Sequence, residues 1–327
     1  MNKRALRADI LLLLTAGIWG FGFVAQRSGL EHIGPFAFNG IRFILGSLVL
    51  LPLICIRRKT LATRAYSFRK LCLYSLAAGA CVFVAVILQQ TGIMFTTAGN
   101  AGFITGLYVV LTPILGIFLG RKTGKATWLG SVFTLTGLYF LSVFGHSGSI
   151  NPGDIIIVVS AFLWSSHVLL IDRLVRKTDP LLLSAGQFTV CGVLALAGAF
   201  FVEPFFKPLF ARITPALLEE GLFAWLPFPT LLQGLAAQTV IFPLEGLIPI
   251  LYGGIVSVGI AYTLQVVAQR DAPPAHATII LCFEGCFAAL GGALLLSETI
   301  GRWTLLGFLL MLTGMLVTQW EVIRKGH

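Results

Sequence analysis

Long, continuous runs of apolar residues separated by short polar segments make up most of the chain. A helix needs about 20 such residues to cross a membrane, and each run reaches or approaches that length. The pattern therefore predicts an all-α integral membrane protein. Ten transmembrane helices are predicted, at 9–26, 35–56, 71–91, 100–120, 127–144, 154–171, 181–202, 247–268, 275–297 and 303–320.

The composition agrees with this pattern. Hydrophobic residues make up 57% of the 327 residues and charged residues only 11%, which leaves too little polar surface to cover a water-soluble fold of this size. The six cysteines all fall inside apolar runs, where thiols pack as small hydrophobic groups. The five histidines show no metal-binding spacing, and no nucleotide-binding or hydrolase motif occurs. We therefore expect no catalytic residues, no metal and no cofactor.

The distribution of positive charge predicts the topology. The net charge is +10, and most of the 23 Lys and Arg residues lie in segments that the ten-helix scheme puts on the side of the N-terminus. Cytoplasmic segments carry such an excess, so both termini are predicted to be cytoplasmic in a multi-pass protein of the inner membrane. A nucleic-acid binder would need a folded basic domain, and none is predicted. The exceptions are Arg42, inside a predicted helix, and Arg27, Lys207, Arg212 and Arg302 on the other side.

A duplication in the sequence predicts two repeats. The pattern Leu129-Gly130 with Leu135-Thr136-Gly137 recurs 177 residues later as Leu306-Gly307 with Leu312-Thr313-Gly314. The two copies lie in helices predicted to cross the membrane in opposite directions, so the two five-helix repeats are predicted to be inverted. Four further pairs lie 145 residues apart: Asp9 and Asp154, Trp19 and Trp164, Pro35 and Pro180, and Phe43 and Phe188.

The difference between the two spacings indicates an insertion in the second half. We assign residues 1–146 to the first repeat and residues 147–203 and 247–327 to the second, which leaves 204–246 as an extracytoplasmic insert between the seventh and eighth helices. Residues 221–244 carry no charge, but three prolines interrupt the run. The insert is predicted to form short amphipathic helices at the outer surface rather than an eleventh span. It would serve either as a lid over the outer mouth or as a tolerated loop insertion.

Several motifs resemble those of one transporter family. The string Thr97-Ala98-Gly99-Asn100-Ala101-Gly102-Phe103 opens the fourth helix, Trp19-Gly20 lies in the first, and Glu284, Phe287-Ala288-Ala289 and Glu298 mark the ninth. With ten helices in two inverted halves, the chain resembles the EamA-type branch of the drug/metabolite transporter superfamily, except in the insert and at Arg121 and Gly285. The resemblance implies a ten-helix bundle around a central cavity. It also implies a proton- or gradient-linked exporter or permease for amino acids, other metabolites or drugs.

Glu284 is the sharpest candidate for a coupling residue. About nine residues of the predicted ninth helix precede it, which places it roughly 14 Å deep at about 1.5 Å per residue. A carboxylate at this depth is costly, and binding a proton lowers the cost. Glu284 is therefore predicted to bind a proton or a substrate amine, and a structural hydrogen bond to a neighbouring helix is the alternative. The 177-residue spacing aligns Glu284 with Leu107.

Arg42 is the only cation within a predicted helix. One interpretation is that it pairs with Glu284 or binds a carboxylate on the substrate. The other is that its long stem reaches the outer interface about 10 Å away, which costs little.

Aromatic and polar residues predict a hydrated central cavity. Trp19 and Trp164 occupy equivalent mid-helix positions and line either a cavity or the packed core. His167 lies three residues after Trp164 on about the same helical face, and it is either a titrating group or a histidine bonded to a neighbour. Hydrogen bonds between helices are the alternative for the remaining polar candidates, which all need a partner or water. They are Gln89, Asn100, Tyr108, Gln187, Tyr262 and Gln265.

These observations favour a secondary active transporter that moves a small metabolite or drug across the cytoplasmic membrane by alternating access. The expected partners are a small-molecule substrate, protons and the lipid bilayer, but no nucleic acid; a monomer and a homodimer are both left open. An integral-membrane lipid-modifying enzyme would need a cluster of catalytic polar residues near one interface, which the sequence does not contain. A passive channel or scaffold would show no saturable or gradient-dependent flux.

Overall fold

The protein is helical throughout the part of the chain that the structure describes. The structure is a computed structural model, and it describes residues 3–30, 33–62, 67–96, 98–142, 152–202, 244–295 and 301–325. A π-helical segment, Tyr252–Tyr262, joins two of the α-helices. The α-helices are α1 (Lys3–Leu30), α2 (Pro35–Ala62), α3 (Phe68–Ile93), α4 (Ala98–Thr105), α5 (Tyr108–Phe118), α6 (Lys125–Ser142), α7 (Pro152–Leu174), α8 (Pro180–Phe201), α9 (Leu244–Leu251), α10 (Thr263–Ala268), α11 (Pro274–Leu281), α12 (Phe283–Leu295) and α13 (Arg302–Lys325).

The described helices form ten rods. Eight of the rods are long and apolar enough to cross a membrane. The other two are α6 and α13, and α13 contains the apolar stretch Leu305–Thr318. The fourth rod consists of α4 and α5, the eighth of α9, the π-helical segment and α10, and the ninth of α11 and α12. The prediction of an all-helical membrane protein is confirmed.

Large apolar side chains cover the outside of the bundle, whereas small residues bring the helices together. Ile56, Phe118 and Phe200 are among the most exposed apolar side chains, as expected for surfaces that face lipid. Inside, a Cβ on Gly192 of α8 would lie 2.8 Å from the Ile44 side chain of α2. Because lipid provides no hydrophobic drive for helices to associate, this close packing holds the bundle together.

The two copies of the duplicated motif face each other. Gly130 of α6 lies against Gly314 of α13, and Gly137 lies against Gly307. A Cβ on Gly137 would lie 2.6 Å from the Gly307 carbonyl oxygen, so only glycine allows this approach. As residue numbers rise along α6, those of their neighbours fall along α13, and the two helices are therefore antiparallel.

The remaining rods surround a central region. α3 packs against α7 and α8, and the π-helical segment packs against α1 and α2. α1 also packs against α12, while α7 packs against α4 and α5. Side chains from α1 and the π-helical segment bond across their interface. Tyr252 donates to the Ile18 carbonyl at 2.7 Å, and Thr15 donates to the Ala261 carbonyl at 3.2 Å.

Two predicted helices are interrupted in the structure. The helix predicted at 100–120 breaks at Gly106 and Leu107, and the one predicted at 275–297 breaks at Cys282. Hydropathy measures transfer into lipid and does not report on backbone continuity, so the apolar pattern could not show these breaks. The insert predicted at 204–246 lies outside the described residues, except that α9 begins at Leu244. Glu298 also lies outside them.

Candidate functional site

The two helix breaks meet in the centre of the bundle. Cys282 at one break directs its thiol to the carbonyl oxygen of Gly106 at the other, with a distance of 3.2 Å. Just beyond each break, Tyr108 of α5 donates a hydrogen bond to Oε1 of Glu284 in α12 at 2.8 Å. Both side chains are buried, Glu284 with 3% of its surface exposed. The interrupted helices thus bring a carboxyl group and a phenol together away from solvent.

Tyr108 and Glu284 line a small central cavity. About 40 Å³ of it is open to the centres of water molecules, which is room for a few waters and for no larger solute. Eight of the predicted candidates line it: Trp19, Arg42, Gln89, Tyr108, Trp164, Tyr262, Gln265 and Glu284. The other lining residues are Phe23, Gln26, Thr105, Val168, Ser257 and Leu281.

Aromatic rings form one wall of the cavity. The ring centroid of Tyr262 lies 4.5 Å from that of Trp19 and 5.9 Å from that of Trp164. Phe43 and Phe188 support Tyr262 from behind, each at a centroid distance of 5.8 Å. Such clusters are favourable beyond the area that they bury, and they fix the ring positions. The two predicted tryptophans therefore belong to one surface with Tyr262 between them.

Arg42 is the one cation among the described residues that line the cavity, and Glu284 is the one carboxyl group. The Arg42 side chain is 3% exposed, and its Nε donates to Oδ1 of Asn39 at 2.9 Å. Its guanidinium lies over Phe38 and Phe43, at 5.5 and 5.2 Å from the ring centroids. Within the described residues no ion pair joins Arg42 to Glu284. Arg42 thus lies inside the bundle, and the cavity holds one guanidinium and one carboxyl group that do not contact each other.

Several polar atoms at the cavity have no protein partner among the described residues. They are Oε1 of Gln26, Oε1 of Gln265 and Nε1 of Trp164, and all three are buried. By contrast, Gln89 donates to the Thr105 hydroxyl at 2.9 Å, and Trp19 donates to the Ser257 carbonyl at 3.4 Å. Because unpaired buried polar atoms are costly, water or a ligand is expected to bind at these three positions.

The structure separates His167 and Gln187 from the cavity. Nε2 of His167 lies 3.0 Å from Oε1 of Gln187, both side chains are fully buried, and neither lines the cavity. The His167 ring meets Trp164 edge to face at a centroid distance of 5.9 Å, so it lies behind the aromatic wall. Asn100 belongs to α4, but its side chain lies outside the described residues.

Six of the lining residues do not appear among the predicted candidates, and Gln26 and Ser257 are two of the polar ones. Gln26 follows Trp19 and Phe23 at steps of four and three residues, which places the three on one helical face. That spacing was a usable signal for Gln26. Ser257 had none, because a serine in a membrane helix usually bonds to its own backbone and is unremarkable in sequence.

The sequence is similar to those of known transporters. The model of the EamA-like transporter family matches residues 6–143 and 151–320. An uncharacterized transporter of Archaeoglobus fulgidus is 27% identical over 320 residues, which cover 98% of this chain and 88% of that protein. The uncharacterized transporter YoaV of Bacillus subtilis is 20% identical over 94% of this chain and 95% of its own.

A solved crystal structure has the same fold. It superposes with a TM-score of 0.71 over 98% of this chain and 99% of the other, at 15% sequence identity. The match of the family model to most of the chain confirms the resemblance seen in the sequence motifs. The chain belongs to the EamA-like transporter family.

Proposed function

We propose that the protein is a secondary active transporter that moves a small metabolite or drug across the cytoplasmic membrane by alternating access. The observation that carries the proposal is the buried carboxyl group of Glu284, which joins the two helix breaks through Tyr108 inside a small central cavity. Interrupted helices at mid-membrane depth form the substrate and ion sites of many transporters. Glu284 is the coupling residue of this proposal, because a buried carboxyl group with one neutral partner can take up and release a proton.

The proposal includes two inverted repeats, residues 1–146 and 147–327, with the insert at 204–246. Several contacts support this division. Both hydrogen bonds at the breaks join residues 176 apart, Tyr108 with Glu284 and Gly106 with Cys282. The antiparallel pairing of the duplicated motif in α6 and α13 is the reciprocal contact that a two-fold axis generates.

The helix contacts support the same symmetry. α3 packs on α7 and α8, as the π-helical segment packs on α1 and α2. Likewise α1 packs on α12, as α7 packs on α4 and α5. Exchanging the halves converts each contact into the other. In an inverted repeat, this exchange interconverts conformations open to either side of the membrane, which is how alternating access operates.

A proteoliposome assay tests the proposal. Vesicles containing the wild type, Glu284→Gln or Asp271→Asn are given a mixture of amino acids, nucleosides and cationic dyes, with and without a pH gradient. Uptake is then quantified by mass spectrometry. Asp271 lies in the exposed turn after α10 and provides a matched removal of a carboxylate outside the cavity. The wild type and Asp271→Asn are expected to accumulate at least one solute under the gradient, whereas Glu284→Gln loses this dependence.

Three results would contradict the proposal. Gradient-dependent accumulation by Glu284→Gln would remove Glu284 from the coupling mechanism. Non-saturable flux that ignores the gradient in all three proteins would identify a passive channel instead. Chemical conversion of vesicle lipids by the wild type alone would identify the lipid-modifying enzyme.

A further inference from the structure

A second concave surface lies at one end of the bundle, outside the central cavity. Arg121, Asp172, Arg173, Arg176 and Lys177 line an open cleft of about 550 Å³, which we call the basic cleft. Arg121 comes from the turn after α5, Asp172 and Arg173 from the last turn of α7, and Arg176 and Lys177 from the turn that follows α7. The cleft therefore holds four cationic side chains and one carboxylate, with a surplus of positive charge.

The local backbone brings Arg121 to the cleft. Gly120 has φ of +74°, a left-handed conformation that glycine adopts without strain, and it ends α5. The Arg121 amide then donates back to the Gly116 carbonyl at 2.9 Å. This turn directs the Arg121 side chain towards α7 instead of letting it continue along α5.

Asp172 organises the cations. Its carboxylate is almost fully buried and accepts hydrogen bonds from Nη2 of Arg121 and from Nη2 of Arg176, the latter at 3.2 Å. Arg173 and Lys177 are exposed, and Asp172 is the only acidic side chain among the described residues that line the cleft. One carboxylate thus orients two guanidinium groups and leaves the charge of the other two cations unbalanced.

Two general effects account for some of this charge but not for its arrangement. Cations at the end of α7 interact favourably with the helix dipole, and loops on one side of a membrane protein are rich in Lys and Arg. Neither effect explains why Arg121, which follows a different helix, pairs with the buried carboxylate of Asp172. Neither needs the cations to surround a cavity.

The chemistry and the position of the cleft identify a ligand. Guanidinium groups bind phosphate oxygens in a planar, two-pronged geometry, and clustered cations between membrane helices favour anionic headgroups. The last residues of α5 and its cap lead directly into the cleft, and Ile117, Phe118 and Leu119 are exposed apolar side chains. Acyl chains can lie on that surface while a phosphate occupies the cleft. We propose that the basic cleft binds the phosphate headgroup of an anionic phospholipid.

Lipid titration of the full-length protein in detergent tests this proposal. A ligand that binds only the folded state raises the unfolding midpoint with its concentration. Phosphatidylglycerol is expected to raise the thermal midpoint of the wild type at lower concentrations than phosphatidylcholine. The variant Arg173→Gln/Lys177→Gln keeps the contacts of Asp172. Each basic residue contributes about 1 kcal/mol to binding an anionic lipid. For this double variant, the phosphatidylglycerol concentration that gives half of the full rise in midpoint (the half-effect concentration) should therefore be roughly tenfold to thirtyfold higher than for the wild type. Each single substitution should give a smaller rise.

The matched control is Arg69→Gln/Lys70→Gln, which removes the same charge at the same end of the bundle. Ser160 of α7 donates to the Ala85 carbonyl of α3, and the Cys81 thiol of α3 contacts the Leu163 carbonyl of α7. These two contacts show that α3 and α7 are antiparallel, so the beginning of α3 and the end of α7 lie at the same end of the bundle. The control should keep the wild-type half-effect concentration within about twofold, which is less than one lost charge contact costs.

Three outcomes would overturn the proposal. An equal loss in the control would mean that the lipid responds to overall charge and not to the cleft. An equal response of the wild type to phosphatidylcholine would remove the preference for an anion. If millimolar glycerol 3-phosphate or inorganic phosphate abolishes the effect of phosphatidylglycerol, the cleft takes a soluble phosphate and the lipid is not its ligand.

Discussion

Tyr108 donates a hydrogen bond to Glu284 across 176 residues of sequence, at a distance of 2.8 Å. Each residue lies just after a break in a membrane helix, and both side chains line the central cavity. No other described side chain bonds to the Glu284 carboxyl group. The bond therefore links the first half of the chain to the second inside the cavity.

Tyr108→Phe tests the role of this bond. The substitution removes the donor and keeps the ring, so the expected loss of stability is about 1 to 3 kcal/mol, seen as a lower thermal unfolding midpoint in detergent. Because the carboxyl group loses its partner, the dependence of transport on pH should also change. Tyr252→Phe is the matched control, since it removes a bond of 2.7 Å to the Ile18 carbonyl outside the cavity. The control should lose similar stability with the wild-type pH profile, and equal pH profiles for the two variants would contradict a role for Tyr108.

Arg42→Met distinguishes a role of the Arg42 guanidinium in transport from a role in stability. Removing an unpaired buried charge is favourable, and this offsets the hydrogen bond that Oδ1 of Asn39 loses, so the unfolding midpoint should change little. Transport should be lost, because the cavity loses its only cation among the described lining residues. Arg42→Lys keeps the charge but loses the planar contact with Phe38 and Phe43 and should transport weakly. Wild-type flux in Arg42→Met would show that Arg42 only packs.

Gly137→Ala tests the pairing of α6 with α13. The new Cβ would lie 2.6 Å from the Gly307 carbonyl oxygen and 2.7 Å from the Met311 side chain. Neither backbone can shift without disturbing the interface, so a loss of about 1 to 3 kcal/mol is expected in thermal unfolding. Gly17→Ala is the control, because its nearest neighbours, in Phe287, lie at 3.8 Å, an ordinary contact. Equal midpoints for the two variants would mean that the α6–α13 contact is loose.

Reporter fusions test the predicted topology. Green fluorescent protein fused after Arg324 or after Lys122 is expected to fluoresce, because both positions are predicted to face the cytoplasm. Alkaline phosphatase fused after Gly34 is expected to be active, because that turn is predicted to face the other side. Active phosphatase after Arg324 would rule out an even number of spans with a cytoplasmic N-terminus.

The sequence predicted the cavity better than it predicted the connections within it. Trp19 and Trp164 were paired by their spacing of 145 residues, and both line the cavity. A constant repeat spacing places two residues at equivalent positions in two similar helices, so both can face the same cavity. The 177-residue spacing aligned Glu284 with Leu107 as equivalent positions of the two repeats, but it predicted no partner for Glu284, and the hydrogen bond from Tyr108 is seen only in the structure.

The helix breaks explain why the sequence did not predict the contact between Tyr108 and Glu284. At Gly106 and Cys282 the chain is as apolar as in a continuous helix, so neither hydropathy nor composition marks the interruption.

The rotation of each helix about its own axis is also hard to predict from the sequence. His167 lies three residues from Trp164 in sequence, yet it faces Gln187 behind the aromatic wall. Arg42 likewise turns inward to Phe38 and Phe43, a choice that depends on neighbours from the tertiary fold.

The small volume of the central cavity has a kinetic consequence. With about 40 Å³ open to water centres, no solute larger than a few waters fits until the side chains or helices that line the cavity move. Association of a ligand must then wait for an opening event. The observed association rate should level off as ligand concentration rises, at a ceiling that equals the opening rate of the bundle and not the rate of diffusion.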